Sequence, residues 1–167
     1  MPDPIESAAA SVATGPVRRH EAPLEVPEVR EVPRAVLASQ REAAEAMPPP
    51  ADVDVADVAA WSARLDGWFA SGATVAVWHC DETAARFLAT CDPDRSRVQL
   101  CVDEQPGRHG RFVPTSGHEV VRLSVLREER PDVVIVSSVA VDEVRVELQV
   151  LGVGPVELVE LDSIAFG

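Results

Sequence analysis

His79, Cys80, Asp81 and Glu82 stand in an unbroken row that offers a base, a nucleophile and two acids. A cysteine beside a histidine can become a thiolate nucleophile, and a helix N-terminus favours the thiolate further. Trp78 precedes the row, and Ser137 and Ser138 end another apolar run that can lie beside it. Two arguments oppose a working couple. Neighbouring strand residues point to opposite faces, and Asp81 and Glu82 disfavour a second negative charge. A strand-end catalyst and a packed, inert cysteine are both compatible with this row. A second group is Arg108, His109, Arg111 and His118, in a loop punctuated by Pro106, Gly107, Gly110, Pro114 and Gly117. Guanidinium forks suit phosphate or carboxylate; the competing reading is a solvated loop that balances acidic surface. Two histidines nine residues apart in a loop set no metal geometry. Asp103 is the third candidate. In dinucleotide-binding folds an acid at this place accepts from ribose hydroxyls, whereas elsewhere an Asp at a strand end opens a turn.

These residues are positioned by a recognisable alternation. Thr74–Trp78 is a short, β-branched, apolar run, as expected of a strand buried on both faces. Asp81, Glu82 and Thr83 can start a helix, because their side chains accept from free backbone N–H groups. Val98–Val102 predicts a second strand, with Asp103 just past its end. Together these make a βαβ unit. Upstream, Asp52 or Asp54 can cap a helix running to Ser71, with Val55, Val58, Leu65, Trp68 and Phe69 at helical spacing and Gly72 after its end. Trp61 and Trp68 read as packing residues of that helix.

Downstream, Val120 and Val121 form a short strand, Ser124 caps a brief helix over 125–130, and Val133–Ser137 is another buried strand. Val141–Leu151 fits two periods. Val141, Val144, Leu148 and Leu151 share a helical face, while Val144, Val146, Leu148 and Val150 alternate as in a strand. A buried strand before this segment needs a crossover to reach a parallel partner, which decides for helix. Val156–Leu161 is the last strand.

Composition bounds the function. The chain has 167 residues, 46% of them hydrophobic, enough for one domain with a real core. Fifteen basic against 28 acidic residues give a formal charge of -13, which repels nucleic acid and anionic lipid. Neither nucleic acid nor membrane is therefore an expected partner, and no apolar run approaches the roughly 20 residues of a membrane span. Every basic residue is arginine, as GC-rich bacterial coding produces. Cys80, Cys91 and Cys101 make an odd set without a Cys-x-x-Cys pair, which argues against a disulfide framework or a zinc ribbon. No metal or other cofactor is expected. The first residues have neither the positive start nor the apolar segment of an export signal, so the expected location is the cytoplasm.

The N-terminal third is different in kind. Pro2, Pro4, Pro16, Pro23, Pro27 and Pro33 remove donors and no hydrophobic period survives among them. Residues 1–33 are expected to be a disordered tail. Residues 34–51 are a helical lead closed by Pro48, Pro49 and Pro50, and residues 52–167 are the α/β domain.

The order of pieces resembles the C-terminal domain of S-adenosylmethionine-dependent sugar C-methyltransferases. The matching pieces are Val75-Ala76-Val77-Trp78, Val102-Asp103, Gly110-Arg111-Phe112-Val113-Pro114, Pro131-Asp132-Val133-Val134-Ile135-Val136, Asp142-Glu143-Val144 and Gly152, over residues 61–162. The resemblance implies a Rossmann-like domain that helps hold a nucleotide sugar. Such enzymes carry their zinc site and their methyl-transfer residues in other domains, so no catalytic residue transfers to this chain. Where the family has a Gly-Ala turn, this chain has Trp78-His79-Cys80-Asp81-Glu82, and Ser137-Ser138-Val139 replaces a Trp-Asn pair.

The reading is therefore a Rossmann-like α/β domain with a mostly parallel sheet flanked by helices, behind a Pro-rich tail and helical lead. It would act as a stand-alone, non-catalytic relative of that C-terminal domain, binding a sugar nucleotide or docking on a partner methyltransferase or other biosynthetic enzyme. Its ligand-contact residues would be Trp78, His79, Asp103, Arg108, Arg111, Ser137 and Ser138. The alternatives are a small enzyme built on the His79/Cys80/acid row and a purely structural interaction module.

Overall fold

The computed structural model describes residues 38–39, 41–43, 54–161 and 166. The tail expected over 1–33 and the proline linker at 44–51 lie outside the described residues. Of the helical lead, residues 38–39 and 41–43 are helical and exposed.

Helix α1 spans Val55–Ser71. The Asp54 carboxylate accepts from the Ala56 N–H at 2.8 Å, a cap whose loss costs about 1 kcal/mol. Gly72 ends the helix at φ 76°, a left-handed conformation that glycine adopts without a Cβ clash. Strand β1, Val75–Trp78, follows and is buried at every residue. Next come α2 (Glu82–Cys91), β2 (Leu100–Asp103), β3 (Val120–Arg122), α3 (Leu126–Glu129), β4 (Val133–Val136), α4 (Val141–Leu151) and β5 (Glu157–Glu160). The five strands form one sheet in the order β3-β2-β1-β4-β5, and every neighbouring pair is parallel. This is the Rossmann-like α/β arrangement, with the order reversing between β1 and β4.

The sheet buries both faces. Val75, Val77, Cys101, Val133 and Ile135 pack with Trp61 and Leu65 of α1 and with Phe87 and Leu88 of α2. Ala76, Trp78, Val102, Val134 and Val136 pack with Leu126 of α3 and with Val144 and Leu148 of α4. Trp61 meets Phe87 edge-on at 5.2 Å, and Phe87 meets Phe166 at 5.4 Å, geometries that favour aromatic pairs beyond simple burial. Trp61 is thus a core residue, and Trp68 packs at the edge of the same cluster.

The ambiguous Val141–Leu151 segment is a helix closed by Gly152 at φ 70°. Val144 and Leu148 are buried while Val146 and Val150 are exposed, as the helical period requires and the strand period does not. Two boundaries differ from expectation. Strand β2 begins at Leu100 because the Asp92 carboxylate takes the N–H groups of Ser96, Arg97 and Val98 and wraps that segment into a turn. Ser124 does not cap a helix. It lies in a 3-10 turn, Leu123–Val125, whose carbonyls at Leu123 and Ser124 receive the Leu126 N–H, so backbone replaces the side-chain cap. No helix among the described residues is long and apolar enough to cross a membrane.

Candidate functional site

The row after β1 folds around one unusual backbone angle. His79 has φ 70°, a left-handed conformation uncommon outside glycine. Its N–H still continues the sheet, donating to the Val102 carbonyl at 2.9 Å. The left-handed residue breaks the strand alternation, and Cys80 turns onto the α1/α2 face with Val75 and Val77. The expectation that His79 and Cys80 point apart by simple alternation is thus replaced by a kink. Cys80 is buried, and its Sγ lies 3.5 Å from the Val102 carbonyl oxygen.

Asp81 is the N-cap of α2. Its Oδ1 accepts from the Ala84 N–H at 2.9 Å and from the Ser137 hydroxyl at 2.8 Å. Burial pushes this carboxyl up, but the Ala84 N–H, the Ser138 and Ser137 hydroxyls and nearby His79 outweigh it and hold the pKa below the ordinary aspartate value. Ser138 also has a left-handed backbone, at φ 54°. His79, Asp81, Ser137 and Ser138 therefore gather where the strand order reverses, each strand contributing one left-handed residue just past its end. Ser137 is fully buried, whereas Ser138 is exposed.

Asp103, the last residue of β2, is also fully buried. Its Oδ2 accepts from the Cys80 N–H at 3.0 Å and from Arg108 Nη1 at 2.8 Å, and its Oδ1 accepts from the Gln105 N–H at 2.8 Å. Arg108 Nη1 also donates to the Cys80 carbonyl at 2.9 Å. Burial raises the Asp103 pKa, but the Gln105 and Cys80 N–H groups and the Arg108 guanidinium together lower it below its usual value. His109 Nε2 lies 2.8 Å from the Asp103 carbonyl oxygen. These bonds clamp the turn after β1 to the turn after β2. Two of the expected contact residues lie in the interior. Asp103 is fully enclosed, its oxygens accepting from the Cys80 and Gln105 N–H groups and from Arg108. Trp78 is fully enclosed in the sheet core, its indole N–H pointing to Glu104 Oε1 at 3.3 Å.

Beside this clamp, a cleft of about 620 Å³ opens between the first turns of α2 and the segment 111–115. Cys80, Asp81, Glu82 and Arg86 line one side, and Arg108, Arg111 and Phe112 to Thr115 the other. Glu82 pairs with Arg86 at 2.9 Å and Arg108 with Asp103. Arg111 is exposed and makes no salt bridge among the described residues. The turn 112–119 is held by the Phe112–Glu119 bridge and by the Val113 N–H donating to the His118 carbonyl at 2.7 Å.

The structure thus divides the expected site. Arg108 and Arg111 reach the cleft; His79, Ser137 and Ser138 lie at the β1/β4 junction, joined to the cleft by Asp81; Trp78 and Asp103 belong to the interior. His118 leaves the arginine group altogether. It is buried, with Nε2 3.1 Å from Asp92 Oδ2, and Asp92 itself is fully enclosed. Burial raises the Asp92 pKa, but hydrogen bonds from His118, Val98 and Arg97 lower it below its ordinary value. Sequence reasoning missed the Asp92–His118 pair and the cleft residues Arg86 and Thr115. Arg86 was findable, four residues after Glu82 on one helical face; Thr115 carries no sequence signal of its place. No cluster of metal-binding side chains exists among the described residues.

Residues 58–148, more than half of the chain, match the family model of the C-methyltransferase C-terminal domain. No curated protein matches the chain.

Proposed function

Since the chain belongs to the C-methyltransferase C-terminal domain family, we propose that it serves as a binding domain, holding a nucleotide sugar by its diphosphate in the cleft and leaving methyl transfer to other residues. The observation that carries this reading is Arg111. It is an exposed guanidinium without a salt bridge among the described residues, on the rim of a cleft that also presents Arg108. Arginine forks bind phosphate oxygens in pairs. Arg108 would act mainly through its positive charge, since Asp103 and the Cys80 carbonyl already occupy Nη1. His79 and Ser138 would meet the sugar end, across Asp81 from the arginines.

Affinity should be low. The turn from Trp78 to Thr83 has no glycine that lets a phosphate approach backbone N–H groups, and Asp81 already caps α2. Removing Asp81 to relieve its charge would also remove the cap, so Glu82 is the acid to change. Calorimetry of the full chain with UDP-glucose should give saturable binding in the high micromolar to millimolar range. Arg111→Ala should weaken it by about tenfold, the worth of roughly 1.4 kcal/mol of charge-assisted contact. No saturable binding, or binding indifferent to Arg111, would remove this reading. S-adenosylmethionine should show no saturable binding to the same sample.

A second reading, docking on a partner methyltransferase or another biosynthetic enzyme, is favoured by one observation. Val146 and Val150 lie one turn apart on α4 and are 59% and 76% exposed. A Val146→Glu, Val150→Glu double variant should keep UDP-glucose affinity and lose any partner that co-purifies.

A further inference from the structure

Two of the three cysteines lie on one face of the sheet, and one of them lines the cleft. Cys80 and Cys101 lie on the same face of the sheet, in the same core cluster. The Cys80 sulfur sits 3.5 Å from the carbonyl oxygen of Val102, the residue that follows Cys101, and Cys101 lies across from Val77, three residues before Cys80. Their access differs. Cys80 lines the cleft, whereas Cys101 is 1% exposed and Cys91 is enclosed at the end of α2. A small solute can therefore reach Cys80 first, with Cys101 waiting behind it.

We propose that Cys80 and Cys101 form an oxidisable dithiol, Cys80 being the site attacked by a hydroperoxide and Cys101 the thiol that captures the product as a disulfide. In the first step the Cys80 sulfur attacks one peroxide oxygen. The O–O bond breaks, the departing hydroxide takes up the thiol proton and leaves as water, and Cys80 becomes a sulfenic acid. In the second step the Cys101 sulfur attacks the Cys80 sulfur. The S–O bond breaks, and hydroxide leaves as water with the Cys101 proton. Overall the dithiol loses two electrons and two protons, and one peroxide becomes two waters.

The surroundings fit these roles. The Arg108 guanidinium, bonded to the Cys80 carbonyl and to Asp103, fixes the backbone of the attacking residue at the cleft wall. The neighbouring Cys80 thiol and burial push the Cys101 thiol well above its ordinary range. That keeps Cys101 inert toward peroxide in solution, while contact with Cys80 makes capture intramolecular. Burial pushes Cys91 up to about 11, so it stands apart from the reaction. The reaction needs only the cleft and the two thiols, whatever ligand the arginines hold.

The test is peptide mapping of the full chain after brief treatment with hydrogen peroxide, with free thiols alkylated under denaturing conditions. The expected result is one cross-linked peptide pair joining Cys80 to Cys101, lighter by two hydrogens, with Cys91 alkylated. In Cys101→Ser, dimedone should label Cys80, because the sulfenic acid is no longer captured. Circular dichroism shows whether that variant folds, and the wild-type map decides the matter without it. Cys80 carried on to sulfinic acid with Cys101 reduced, an intermolecular Cys80 disulfide, or three free thiols at a peroxide dose that oxidises free cysteine would each overturn the proposal.

Discussion

Asp92 and Asp103 are the two fully buried carboxylates among the described residues, and they sit in opposite circumstances. Both accept backbone N–H groups and one side-chain donor, and both have pKa values held below the ordinary range by those bonds against the upward push of burial. Asp92 faces His118, whose side chain is 6% exposed, so the pair is sealed. Asp103 faces Arg108, whose side chain is 35% exposed at the edge of the cleft. One motif, a carboxylate that ties turns together, thus serves two ends. At Asp92 it is interior architecture, fixing the turn before β2 and anchoring the base of the 112–119 turn. At Asp103 it places a cation at the edge of the cleft. Exposure of the partner, not the carboxylate's own bonding, separates interior scaffold from cleft wall.

The largest expected effect tests that separation through stability. Asp92→Ala leaves the N–H groups of Ser96, Arg97 and Val98 and the ring of His118 without their acceptor, and His118 Nδ1 already has no partner among the described residues. Breaking such a buried pair costs about 3–5 kcal/mol. Asp103→Ala should cost about 2 kcal/mol, because Arg108 can turn toward water. Urea denaturation of both variants measures this, and equal losses would mean that partner exposure does not matter.

Acid should unfold the protein through the same carboxylates. Asp81, Asp92 and Asp103 all have folded pKa values below the unfolded value near 3.8. A depressed folded pKa gives stability that is present above the unfolded pKa and lost as pH falls through the folded one. Stability should therefore be flat with respect to these groups above about pH 5 and fall below pH 3.8. Each carboxylate contributes at most about 1.4 kcal/mol per pH unit to the slope. Asp92→Asn should make that fall shallower by one carboxylate's share, read as urea midpoints across pH. An unchanged slope would show that Asp92 binds a proton equally well folded and unfolded.

The smallest effect belongs to the cleft. Glu82→Ala removes a negative charge from its wall and breaks an exposed i,i+4 pair worth a few tenths of a kcal/mol. UDP-glucose binding should tighten two- to fivefold with little change in stability, whereas His118→Ala should lower stability and leave binding nearly unaltered beyond that. If His118→Ala weakened binding more than Arg111→Ala in a folded protein, the division between scaffold and site would fail.

Local chemistry written in the chain was enough for the elements and their order. Short β-branched runs, Asp at helix starts, and Gly72 and Gly152 at helix ends act through bonds within a few residues, and they predicted every strand and the three longer helices. The helix at Val141–Leu151 needed one step more, the rule that parallel strands are joined by a crossover. Which partner would fill a given side chain was beyond that reach. Asp103 reads equally well as a ribose acceptor or a turn residue, because its lone pairs do not reveal whether Arg108 or a ligand satisfies them. Trp78 reads as a strand-end aromatic until α3 and α4 cover its face. His118 sits nine residues from His109 and 26 from Asp92, and only the packing of the 112–119 turn against the end of α2 chose the distant acid. Side-chain partnership across the sheet is a long-range property, decided by tertiary packing that no single segment specifies.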